Sequence, residues 1–151
     1  RFEGTAHLVK PFEIPARARR YRGGDFGLVN PTCLLDGFEA DDGTLYVYRE
    51  YYEPNGESYG RHAERYLETQ AGEEYEAGWG DPAAKEAREA FGDAGVYLGP
   101  ADNDVKGGID RVRDRLRLQG DGRPRLRVFK GQCPNLEREI AVCPFEVKVV
   151  G

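Results

Sequence analysis

The stretch PTCLLDGFEADDGTLYVYREYYE, residues 31–53, decides the fold. Two runs rich in aromatic, Leu, Thr and Val residues, Pro31–Phe38 and Leu45–Tyr52, flank Ala40-Asp41-Asp42-Gly43. An Asp-Gly pair readily adopts the positive φ angles that a tight hairpin needs, so the two runs read as adjacent antiparallel strands. Upstream, Tyr21–Phe26 reads as a strand leading into this hairpin. Downstream the apolar period changes. Ser58 stands as an N-cap before Tyr59, Ala63, Tyr66 and Leu67, which recur at i, i+4, i+7 and i+8 on one helical face.

Strands and helices then alternate. Tyr75–Gly80 reads as a short strand ending at Asp81-Pro82. Pro82 suits the first turn of a helix with Ala83, Ala84, Ala87, Ala90 and Phe91 on one face, stopped by Gly92 and Gly95. Val96-Tyr97-Leu98 reads as the next strand. A helix over about Gly107–Leu118 is expected to bury Val105, Ile109, Val112 and Leu116, with Arg111, Arg113, Arg115 and Arg117 between them. Gly120-Asp121-Gly122 turns the chain into a strand, Leu126–Phe129, and Cys133-Pro134 opens a short helix through Ile140. A hairpin group followed by β-α-β-α-β predicts an α/β fold, a mixed sheet with helices on its faces, in a single domain over residues 1–151.

Composition narrows the chemistry. With 39% hydrophobic and 32% charged residues the 151-residue chain is globular, and it has no apolar run long enough for a membrane span. It begins at Arg1 and contains no Met, as expected of a fragment or processed product. Cys33, Cys133 and Cys143 form no CxxC pair, which argues against a zinc site and for reduced thiols. His7 and His62 are the only histidines, too few for His-based catalysis or a His-rich metal site. The net charge of −5 is unevenly distributed. Residues 1–22 hold six basic and two acidic side chains, residues 23–104 five and nineteen, and residues 105–151 eleven and six. The middle can gather carboxylates around cations while the ends face phosphate, although a solvated surface of mixed sign accounts for the same numbers.

Two acids occupy strand ends. Asp25 lies in Gly23-Gly24-Asp25-Phe26-Gly27, where glycine lets a ligand or metal approach the backbone closely. Taken alone, this motif equally describes an acid in a strand-end turn. Asp81 follows a strand and precedes Pro82, which is also how an ordinary helix N-cap looks. Sites in α/β sheets tend to lie at such strand ends, and two carboxylates on neighbouring strands can hold divalent cations such as magnesium.

Several motifs occur together in one order. Asp25 within GGDFG, with Asn30-Pro31 and a hairpin after it, resembles the first metal-binding strand of the nuclease domain of bacteriophage large terminases. Gly80-Asp81-Pro82-Ala83-Ala84 resembles that family's second acidic motif, and Val105–Val112 its later helix start. Leu126–Phe129 with Cys133–Ile140 is similar to its final strand and short helix. The resemblance runs over roughly residues 8–150 and implies an RNase H-like fold.

The same resemblance implies a metal-dependent DNA endonuclease that cuts concatemeric double-stranded DNA with two Mg²⁺ or Mn²⁺ ions. One ion would activate the attacking water and the other stabilise the leaving oxygen. Asp25 would bridge the ions and Asp81 would hold one of them. A third acid is expected just after Gly151, following a strand that Val147–Val150 resembles, and the stretch between Ile140 and Val147 is short for the family. Lys106, Arg125, Arg127 and Lys130 would contact DNA phosphates with little sequence preference. Arg111, Arg113, Arg115 and Arg117 read more readily as a solvated helix face. The implied partners are DNA, a terminase ATPase domain, the small subunit and the portal or procapsid, in the cytoplasm of an infected bacterium. No GxxxxGK[ST] is present, so these residues supply cutting and not ATP-driven translocation. The alternatives are another RNase H-like nuclease of resolvase or transposase type, and a catalytically silent docking domain for DNA or a portal. A carbohydrate-binding module, raised by the nine tyrosines, is a more distant reading.

Overall fold

A computed structural model describes residues 2–26, 31–54, 56–70, 72–102 and 104–142. Its elements are α1 (Gly4–His7), β1 (Leu8–Val9), β2 (Arg19–Phe26), β3 (Thr32–Glu39), β4 (Leu45–Glu53), α2 (Tyr59–Glu68), β5 (Ala77–Gly80), α3 (Lys85–Asp93), β6 (Gly99–Pro100), α4 (Val105–Leu116), β7 (Leu126–Phe129) and α5 (Pro134–Val142). The strands lie in the order β1-β7-β4-β3-β2-β5-β6. β3 and β4 form the hairpin read from the sequence. Its turn closes through Ala40 N–H to Thr44 O (2.8 Å) and Gly43 N–H to Ala40 O (2.9 Å), with Gly43 at φ 84°. Four pairings, β1 with β7, β4 with β7, β2 with β5 and β5 with β6, are parallel. The α/β class and the mixed, helix-flanked sheet are therefore as expected. The expected strand at Val147–Val150, Cys143, Gly27 and Asn30 lie outside the described residues.

The chain packs as two compact units. One comprises Arg19–Gly37 and Glu50–Asn103. Its core joins Phe26, Leu34, Tyr51, Ala63, Tyr66, Ala87, Phe91, Val96 and Leu98, so α2 and α3 cover one sheet face. Each large apolar side chain buried there contributes about 1.5–3 kcal/mol. Ser58 caps α2 as foreseen, its Oγ accepting from Arg61 N–H at 3.2 Å.

The other unit comprises Arg1–Ala18, Phe38–Arg49 and Asp104–Gly151. Phe38, Tyr48 and Phe129 form its buried aromatic cluster, with Val9, Ile14, Ala18, Ala40 and Tyr46 packed against it. Phe12 adds a further ring, 4.9 Å from Phe129 and 5.1 Å from Tyr46 between centroids. The α1–β1 segment was not expected from sequence. His7 anchors it: Nε2–H donates to Leu116 O at 2.6 Å, and Nδ1 accepts from Glu3 N–H at 2.7 Å.

Several element boundaries move for identifiable reasons. The helix expected at Pro82 begins at Lys85, and Asp81 does not cap it. Asp81 Oδ1 instead takes Ala83 N–H at 2.9 Å, and Ala84 N–H bonds Asp81 O at 3.0 Å, which holds residues 81–84 in a turn. Gly92 lies inside α3, and the left-handed turn falls on Gly95 (φ 97°). Val96–Leu98 is not a strand. Val96 N–H is engaged by Phe91 O at 2.8 Å, so β6 begins only at Gly99. The Tyr75–Gly80 strand shortens to Ala77–Gly80. Asp104 caps α4 by accepting from Gly107 N–H at 3.0 Å, which moves its start to Val105. It ends at Leu116 because Arg115 O accepts from Arg125 N–H (2.7 Å) and Leu116 O from His7. Of the apolar residues expected beneath α4, Leu116 is buried and Ile109 and Val112 are half-buried.

Candidate metal and nucleic-acid site

Asp25 lies on β2 and Asp81 directly follows the parallel neighbour strand β5. β2 and β5 pair with Tyr21 opposite Ala77, Gly23 opposite Trp79 and Gly24 opposite Gly80. The last pair, Gly24 with Gly80, immediately precedes both acids in sequence. Side chains alternate along a strand, so Asp25 shares a sheet face with Tyr21, Gly23 and Trp79. The opposite face carries Arg22, Gly24 and Phe26 toward α2 and α3. Both carboxylates are exposed. Asp81 has one oxygen on Ala83 N–H, and Asp25 has no hydrogen bond or ion pair with any described residue.

The glycines around Asp25 divide into two roles. A Cβ on Gly24 would come within 2.7 Å of the Phe26 ring, so this glycine makes room for core packing. A Cβ on Gly23 would meet nothing within 4 Å, so the sheet face beside the acids is open there.

Hard oxygen donors suit Mg²⁺ or Mn²⁺, which bind one or two protein carboxylates and keep water and substrate phosphate in the remaining positions. Asp25 and Asp81 are donors of that type. Among the described residues no group of three or more His, Cys, Asp or Glu side chains could hold a metal. The histidines are engaged elsewhere: His7 as above, and His62 buried with Nδ1 2.8 Å from the Tyr51 hydroxyl.

The expected phosphate contacts all belong to the unit built around Phe38, and they differ in availability. Lys106 and Lys130 are exposed. Arg127 is half-buried and donates from Nε to Ala6 O at 3.1 Å. Arg125 grips Asp121 with two hydrogen bonds, Nη2 to Oδ2 at 2.9 Å and Nη1 to Oδ1 at 3.3 Å, a pairing that holds the Asp121 carboxyl below its ordinary range. Two groupings escaped the sequence reading. Lys10 and Lys130 line one hollow with Gly4 and Leu8, and neither lysine has an ion-pair partner among the described residues. Arg111, Arg115 and Arg125 line a cleft of about 460 Å³ with Asp42 and Asp114. Arg111 and Arg115 are one helical turn apart, a spacing visible in the sequence, but the hairpin turn that completes the cleft is distant along the chain.

A buried polar group also lies near β2. Asp36 on β3 is 1% exposed and accepts from the Tyr66 hydroxyl at 2.5 Å. Burial, then the Asp36 charge, push the Tyr66 phenol well above its ordinary value. Arg22 lies 5.7 Å from the Tyr66 ring centre and stacks 3.8 Å from that of Tyr75. Gly78 permits this, because a Cβ there would come within 2.7 Å of the Arg22 stem.

No family model and no curated protein matches this sequence. Solved structures share its fold. The large terminase of a thermophilic bacteriophage superposes with a TM-score of 0.75 at 21% identity, covering 93% of this chain and 36% of that one. The P22 large terminase nuclease domain gives 0.69 at 21% identity, covering 90% and 74%. The large terminase nuclease domain of bacteriophage SPP1, solved with bound Mn, gives 0.64 at 14% identity, covering 93% and 80%. The chain thus has the RNase H-like fold of terminase nuclease domains and spans about a third of the thermophilic-phage protein. No helix among the described residues is long and apolar enough to cross a membrane.

Proposed function

We propose that this chain is the metal-dependent endonuclease domain of a viral genome-packaging terminase, cutting concatemeric double-stranded DNA. The observation that carries this reading is the placement of Asp25 and Asp81, exposed at the ends of adjacent parallel strands, in a fold shared with terminase nuclease domains. The manganese in the SPP1 domain supports a divalent metal here. Asp25 and Asp81 would hold Mg²⁺ or Mn²⁺, two ions in all, with a third acid supplied beyond Gly151 as the resemblance implies. When bound, the ions supply an activated water and charge stabilisation at the leaving oxygen.

The remaining work falls to the chain itself. The Ala83 amide fixes one Asp81 oxygen and leaves the other for a ligand. Gly23 keeps the sheet face beside the acids open to a DNA strand. Lys106 and Lys130 would attract phosphate, as would Arg125 and Arg127 once their present partners yield. In this reading the domain works with an ATPase domain, a small terminase subunit and a portal, in the cytoplasm of an infected bacterium.

Plasmid cleavage in manganese tests the proposal, in a protein carrying this chain with the acidic segment expected beyond it. The wild type should nick and linearise supercoiled DNA. Asp25→Asn should fall to background with an unchanged unfolding midpoint, because the side chain is exposed and makes no bond to a described residue. A wild-type protein that neither cuts nor binds manganese would replace the nuclease reading with that of a silent docking domain.

A further inference from the structure

Trp79, the only tryptophan in the chain, is 44% exposed on the sheet face that carries Asp25, two residues before Asp81. Its ring stacks on Tyr21, with centroids 6.0 Å apart and planes 15° from parallel. Its register neighbours on both sides are glycines, Gly23 on β2 and Gly99 on β6. Neither glycine can shield the indole, and the space above Gly23 is open. A large ring on a sheet ordinarily packs against cross-strand side chains. Here both directly paired positions are glycines, so only the diagonal neighbour Tyr21 packs on the indole, which leaves a flat aromatic shelf.

The shelf has a direction. Along this face of β2 come exposed Arg19, then Tyr21 beside Trp79, then Gly23, then Asp25. Trp79 lies two residues before Asp81, which directly follows β5. A cation at one end, a π surface in the middle and a candidate metal site at the other fit a polyanion with flat rings. We propose that this shelf receives an unpaired nucleobase of the DNA strand whose phosphate reaches Asp25 and Asp81, so that the duplex is locally opened where it is cut. The inference rests on the nuclease reading of those two acids and adds how the substrate is held beside them. A base stacks on any aromatic face irrespective of its identity, so this contact favours unpaired DNA without selecting a sequence.

The single tryptophan makes the test direct. A single-stranded oligodeoxynucleotide, added in calcium with no catalytic metal, should quench and shift Trp79 emission, and the same sequence as a closed duplex should do so much less. Trp79→Ala should weaken single-strand binding, followed by fluorescence anisotropy of a labelled strand, roughly tenfold to hundredfold. Trp79→Phe should recover most of that loss, and neither variant should change manganese affinity. A strand that saturates the protein without moving Trp79 emission overturns the proposal and assigns the shelf to a protein partner. Equal affinity of Trp79→Ala and wild type overturns it as well. Failure of the nuclease reading itself would show separately, as an Asp25→Asn protein that binds manganese as the wild type does.

Discussion

The two units differ in what their interiors contain. Around Tyr66 the core encloses a carboxylate: Asp36 is buried on β3 under the Tyr66 hydroxyl, and the Arg22 guanidinium lies between the Tyr66 and Tyr75 rings. Around Phe38 the core is aromatic, with Phe12, Tyr46, Tyr48 and Phe129 within 6.4 Å of one another or of Phe38 by ring centroids. Several of that unit's charges sit outside in short-range pairs such as Arg113–Asp110, Arg117–Asp114 and Arg125–Asp121. Exposed pairs contribute little, whereas a buried charge that loses a donor is costly. The first core should therefore be sensitive to chemistry and the second to volume.

Emptying the aromatic core is the larger effect. Phe38→Ala removes the ring shared by four centroid contacts and should cost about 3–5 kcal/mol, through lost transfer energy and the cavity left behind. Urea unfolding measures it. A loss below about 1 kcal/mol would mean that Phe12, already partly exposed, collapses into the space, and the contrast between the cores would weaken.

Tyr66→Phe keeps the volume and removes only the hydroxyl, so it isolates the polar term. It should cost about 1–3 kcal/mol, because Asp36 stays buried without that donor. The pH dependence sharpens this. The Tyr66 phenol ionises far above its ordinary 10.0 in the folded chain, through burial first and the Asp36 charge second. The folded state thus keeps a proton that the unfolded state releases, and the associated stability is complete below pH 10 and is lost as pH rises beyond it. Wild-type stability should fall from about pH 10 upward, and Tyr66→Phe should flatten that fall; an unchanged alkaline slope would remove Tyr66 from the account. The aromatic unit has its counterpart at acid pH. Asp121, lowered by Arg125, and Asp42, lowered by Thr44, lend stability above the ordinary 3.8 that is lost as pH drops below it.

These contrasts follow how much of the molecule is local. Asp42-Gly43 closes a hairpin, Ser58 caps a helix, and apolar positions four apart face a sheet; such features depend on neighbours along the chain and are legible there. Asp25 and Asp81 could be picked out as strand-end acids, but the Gly24–Gly80 register that immediately precedes both is one that only pairing creates. The α1–β1 segment was illegible because two residues of strand carry no period, and His7 finds its carbonyl partner 109 residues away. Asp36 sits among Cys33, Leu34, Leu35 and Phe38, apolar residues at both strand parities, so the sequence does not say which face is buried. Gly24 carried a false hint: its missing side chain serves Phe26, whereas Gly23 beside it leaves the open face.

The smallest effect separates the units by the kind of DNA contact each would make. Lys10 and Lys130 share a hollow without acidic partners among the described residues, and a phosphate held there would release counterions from DNA. Replacing both with Gln should weaken duplex binding about equally across sequences. It should reduce the slope of log K against log salt by about 0.9 for each lysine that contacts a phosphate. Trp79→Ala should leave that slope nearly intact, because stacking releases no counterions. Anisotropy titrations at several salt concentrations give both slopes in one series. If the lysine variant keeps the wild-type slope, the hollow is a solvated surface. If the tryptophan variant loses slope as well, the open face of β2 and β5 binds through charge, and the division between a stacking face and a phosphate-holding unit fails.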